Sequence, residues 1–164
     1  MKKEQVSSAE QVARLLNRIW IVEGELQPAA FVLNAGEAYL SVNRPAVASY
    51  ESDVDDFISK HPAFCVHSSQ KLYYRANLSV GDVRNIGCLI GDERLQIDVD
   101  VEPRSMYYQS HAGIFTRVDG VTVKADKSIA YPGSKYGVSS EPILMKLRFE
   151  LLRLSNVELC PTRA

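Results

Sequence analysis

His111 is the side chain best suited to chemistry in this sequence. It stands in the run Gln109-Ser110-His111-Ala112-Gly113-Ile114-Phe115. An imidazole there can act as a general base or proton donor once a neighbour orients it. Tyr107, Tyr108 or a carboxylate of the preceding acidic strand would supply that neighbour. Ser110 adjoins His111, but adjacent side chains of an extended chain point to opposite faces, so the two are not a nucleophile–base pair. The competing reading is a histidine hydrogen-bonded within a sheet.

Arg18, Arg44, Arg75 and Arg84 each fall near the end of an expected element or among tyrosines. Guanidinium groups converging with tyrosines on a cleft hold phosphate or carboxylate through forked hydrogen bonds. Taken singly, each is a surface residue with its stem packed on apolar neighbours. Cys65 and His67 share a strand face, and His61 is near them in sequence. That trio lacks a second close pair such as C-x-x-C, so an inert buried thiol is expected and no metal site is read. Asp98, Asp100 and Glu102 would attract a divalent cation, but alternating acids are expected to form a solvated sheet face. The glycines make neither G-x-G-x-x-G nor a Walker loop. No cofactor is indicated.

The element that must position His111 is the strand before it. Leu95, Ile97, Val99 and Val101 alternate with Gln96, Asp98, Asp100 and Glu102. This predicts an internal strand with one buried and one wet face, ended by Pro103. A second strand follows, with His111 near its start. Val12, Leu15, Leu16 and Ile19 recur at helical intervals behind a Ser7/Glu10 capping-box spacing, predicting a first helix that fades at Trp20. Ala38–Val42 reads as a strand. A helix over about Ala46–Lys60 turns Val47, Tyr50, Val54, Phe57 and Ile58 inward and Asp53, Asp55 and Asp56 to solvent. Ala63–His67 and Leu72–Val80 read as strands, and Gly81–Arg84 as a turn or one helical turn. Asp119-Gly120 reads as a hairpin turn and Asp126–Val138 as a loop. A last helix, capped by Ser139 or Ser140, carries Ile143, Leu144, Leu147, Leu151 and Leu154 on one side. Met145, Phe149 and Leu152 widen that stripe, so the helix is expected to be sandwiched. The chain from Glu158 onward is expected to fray.

Helices and strands in this order do not alternate regularly. The expectation is a single α+β domain over residues 1–164, with a mixed or mainly antiparallel sheet flanked by about three helices. A net charge of −1 gives no electrostatic footprint for nucleic acid. No apolar run is long enough to span a membrane, and the basic N-terminal residues lead into no signal-peptide core. Three widely spaced cysteines fit free thiols in a reducing cytoplasm.

Several segments occur in a telling order: Leu16–Trp20, Gly24–Phe31, Ala38–Ser49, Ala76–Gly87 and Gln109–Phe115. Together they resemble a group of small, uncharacterised bacterial proteins with R-x-x-x-W, L-S-V-x-R and H-A-x-I segments. The likeness covers the first three quarters of the chain and departs at Ser110, on the proline side of the last motif. It implies no established activity, but it draws Arg18, Ser41 and Arg44 together with His111. In that grouping Arg18, Arg44 and Ser41 bind a ligand and His111 is the catalytic candidate. Two functions follow. One is a non-catalytic module that binds a partner protein or a small anionic ligand, in a defence or toxin–antitoxin setting. The other is an enzyme acting on a nucleotide-like substrate, with an ADP-ribosyltransferase-like order of Arg18, Ser41 and a later catalytic group. The late glutamate of that order is not evident after His111.

Overall fold

The computed structural model describes residues 4–33, 37–66, 71–89, 95–101, 108–124 and 141–162. In chain order these form β1 (Gln11–Leu16), β2 (Ile21–Val22), β3 (Glu25–Leu26), β4 (Tyr39–Asn43) and α1 (Tyr50–Lys60). There follow β5 (Leu72–Ser79), α2 (Val80–Leu89), β6 (Leu95–Val101), β7 (His111–Val118), β8 (Val121–Thr122), α3 (Glu141–Leu154) and β9 (Asn156–Pro161). The main sheet runs β6-β7-β4-β1-β5-β9, with β8 hairpinned onto β7 and every pairing antiparallel. This is the expected α+β fold. No described helix is long and apolar enough to cross a membrane.

The first predicted helix is instead strand β1, at the centre of the sheet. Val12, Ala13, Leu15 and Leu16 are all buried. A strand covered on both faces shows no polar alternation, so its apolar residues match a helical stripe as well as a strand. Ile19, assigned to that stripe, is 70% exposed.

The two faces of the sheet carry two cores. On one, Val12, Leu40, Val42, Ile97, Val99 and Ile114 meet α2 through Val83 and Ile86, and α3 through Leu144, Leu147 and Leu151. On the other, Ala13, Leu15, Tyr73 and Cys160 pack under Tyr50, Val54 and Ile58 of α1.

Strand β6 buries Leu95, Ile97 and Val99 as expected, but it is not internal. It ends the sheet, and residues 4–6 lie along it. The Val6 N–H donates to the Val99 carbonyl (2.9 Å), and the Val101 N–H to the Glu4 carbonyl (2.8 Å). Its acidic face is not wet either. Asp98 and Asp100 are buried, and each accepts one guanidinium nitrogen of Arg117 on β7, at 2.6 and 2.7 Å. A buried carboxylate needs such a partner, and the partner came from across the strand pair.

Other boundaries moved for local reasons. Helix α1 begins at Tyr50 because Arg44–Tyr50 close two tight turns, with Val47 N–H to Arg44 O and Tyr50 N–H to Val47 O. Residues 62–64 form a 3-10 turn rather than a strand. Residues 81–84, expected as a turn or one helical turn, are helical and belong to the longer α2. The Asp119-Gly120 hairpin turn is present, with φ of 51° and 79°. Helix α3 is docked on one side only, with Met145 45% and Phe149 53% exposed. The expected frayed tail is β9, paired with β5 in the register Arg75↔Glu158. His67, Glu102, Tyr107, the 126–138 loop and the Ser139/Ser140 cap lie outside the described residues.

Candidate functional site

Strands β1 and β4 pair at a single position, Ala13↔Asn43, and then separate. Arg14, the next residue on β1, reaches into the gap. Its Nη1 donates to the Ser41 carbonyl at 2.7 Å and its Nε to the Ala30 carbonyl at 3.0 Å. The guanidinium lies over the Trp20 ring, 5.3 Å from its centroid. Trp20 in turn meets Phe64 edge-on at 5.9 Å, and Phe64 meets Phe57 of α1 at 4.9 Å.

These groups enclose a cavity of about 110 Å³, lined also by Leu15, Ser41, Asn43, Asp53, Tyr108 and His111. Three loci of the chain are tied together beside it. Asp53 of α1 accepts the Ser110 N–H at 3.0 Å and the Ser110 hydroxyl at 2.6 Å, and the Ser49 hydroxyl at 2.9 Å. The Asn43 amide donates to the Ser110 hydroxyl at 3.1 Å. Asp53 is therefore buried rather than solvated as expected, because its carboxylate has found three donors. The knot fixes the chain immediately before His111, and His111 then pairs with Asn43 across β7 and β4. Ser110 is wholly buried and donates straight to the carboxylate, with no imidazole between them; its geometry is that of a structural tie.

The electrostatics centre on Arg14. Burial of the guanidinium pulls its pKa down to about 10, and the Glu37 carboxylate works against that pull. The group is still a cation at neutral pH. Both of its described hydrogen-bond partners are carbonyl oxygens.

The structure brings two of the four sequence-predicted residues to this cavity. His111 and Ser41 line it, Ser41 opposite Gly113 on β7. Arg44 and Arg18 are not among its lining residues. The Arg44 guanidinium is forked onto Glu10, Nε to Oε1 at 3.1 Å and Nη2 to Oε2 at 2.9 Å. Arg18 is exposed at the start of the 3-10 turn Arg18–Trp20. The cation comes instead from Arg14, which the sequence reading did not single out. Trp20 and the Phe57–Phe64 pair were legible only as core.

A second cleft, about 230 Å³, lies between α1 and β9, with Tyr50, Tyr73, Arg75 and Cys160 in its walls. Its arginine is already engaged. Arg75 donates to Glu158 through Nε and Nη2 and to the Tyr50 hydroxyl at 3.0 Å. Among the described residues no group of three or more His, Cys, Asp or Glu side chains is placed to hold a metal ion.

No protein-family profile matches the chain, and no curated protein or solved structure matches it.

Proposed function

We propose that the protein is a binding module that holds a small anionic group, a carboxylate or phosphate, in the Arg14 cavity. The observation that carries this reading is the placement of Arg14: its side chain lines the cavity, and its described hydrogen bonds end on carbonyls. An anion entering the cavity would offset what desolvation costs the guanidinium, through a charge-assisted hydrogen bond. Asn43 and His111 would add polar contacts, and Trp20, Phe57 and Phe64 an apolar wall for the rest of the ligand. A cavity of about 110 Å³ suits a head group rather than a whole nucleotide, which favours binding over the nucleotide-acting enzyme. In this reading His111 binds rather than catalyses, and Arg18 and Arg44 take no part. Three free cysteines, Cys88 among them exposed, favour a reducing cytoplasm.

The test is a histidine-resolved NMR titration with inorganic phosphate and with acetate. The His111 resonance is expected to move saturably in the native chain and to stay fixed in Arg14→Gln. A His111 signal that ignores both anions would overturn the reading.

A further inference from the structure

We infer that two copies of this chain associate through β9, the sheet edge whose outer side none of the described residues pairs. The inference is independent of the anion site. The two ends of the sheet are treated differently. Residues 4–6 occupy the outer side of β6. On the outer side of β9 none of the described residues pairs, and Val157 and Leu159 are 39% and 47% exposed.

The pairing of β9 with β5 decides which backbone groups face outward. The Thr162 N–H donates to the Lys71 carbonyl at 2.7 Å. Hydrogen-bonded pairs alternate along an antiparallel ladder, so Cys160↔Tyr73 and Glu158↔Arg75 are of the same kind. The N–H and C=O groups of Val157 and Leu159, and the C=O of Pro161, therefore point away from the sheet. Such an edge is a template for another strand. β9 itself contains no lysine, and Pro161 removes a donor only at its far end.

A second copy fits this edge by a two-fold axis at Leu159. Leu159 and the partner's Leu159 exchange N–H···O=C bonds. Each Val157 N–H reaches the carbonyl of the partner's Pro161. Four hydrogen bonds then use both outward donors of each chain. A two-fold at Glu158 also closes four bonds, but it sets two carboxylates directly opposite, which destabilises a strand pair. With the axis at Leu159, Glu158 faces the partner's Cys160 and keeps its own hydrogen bonds from Arg75 and Asn77. On the face opposite α1, Leu159 meets its symmetry mate and Val157 faces the partner's Pro161. The contact is self-complementary and closes as a dimer.

The test is sedimentation velocity on the whole chain over a range of concentrations, with Leu159→Pro and Val157→Lys alongside. Leu159→Pro deletes an outward N–H that β5 does not use. The native chain is expected to dimerise, and each variant to weaken the dimer about tenfold or more with an unchanged far-UV spectrum. If Leu159→Pro fails to fold, Val157→Lys, altered only at an exposed side chain, decides. A native chain that stays monomeric, or a dimer that survives in the folded variants, would overturn the inference.

Discussion

The guanidinium of Arg14 and the indole of Trp20 stand 5.3 Å apart, in a gap that exists because β1 and β4 pair only at Ala13↔Asn43. A cation over an indole face is favourable by roughly 0.5–2 kcal/mol. Here it also sets the cation beside the single tryptophan of the chain. The candidate site is thus a consequence of where the ladder stops.

The Asp53 knot should be a stability element. Asp53→Ala leaves the Ser110 N–H and hydroxyl without their carboxylate and should cost about 2–3 kcal/mol, as for hydrogen bonds to charged groups. Glu25→Ala, at an exposed side chain, should cost under about 0.5 kcal/mol, like other surface changes. Urea denaturation of both variants checks this. Equal losses would mean that Asp53 is not the tie between α1 and the chain before β7.

Acid should weaken the clamp between Glu10 and Arg44. The Arg44 guanidinium, by hydrogen bond and charge, holds the Glu10 carboxyl below its ordinary value of about 4.5. A depressed carboxyl pKa stabilises the folded state fully above the unfolded value, and the gain is lost as pH falls through the folded value. The stability difference between the native chain and Glu10→Gln should therefore be constant from pH 6 to 8 and shrink below pH 4.5. Denaturant midpoints across that range read it. A difference that grew on acidification would contradict the assignment.

Gly113 is required by the aromatic pair above it. A Cβ there would lie 2.6 Å from Cδ2 of Tyr39 and 2.9 Å from Cε2 of Phe115. Those two rings are packed at 4.9 Å. Gly113→Ala should cost about 1–3 kcal/mol through overpacking. In a Tyr39→Ala background the same change should cost measurably less, because part of the clash is gone. Strict additivity in that cycle would refute the steric account.

How far these features were legible depends on where each residue's partner lies. The alternation of Leu95, Ile97 and Val99 needs no partner to be read, and the β6 face was right. Asp98 and Asp100 looked solvated because their ligand, Arg117, sits on another strand. Val12, Leu15 and Leu16 misled because a strand buried on both faces has no wet side to set its period. Strand β9 was missed because its alternation, Val157 and Leu159 set between Asn156 and Glu158, is short and stands where a chain end is expected to fray. His111 was singled out for its imidazole, and Ser41 was grouped with it only through the resemblance. Arg14 was lost with the wrong period, and only the tertiary gap beside Asn43 reveals it.

The most direct measurement of the central claim is the fluorescence of Trp20 during titration with inorganic phosphate. Trp20 is the only tryptophan and lines the cavity with Arg14, so occupancy is read at the site itself. The native chain should show a saturable change, which Arg18→Gln retains and Arg14→Gln loses. A featureless, non-saturating response in the native chain, or a saturable one that survives in Arg14→Gln, would contradict the account.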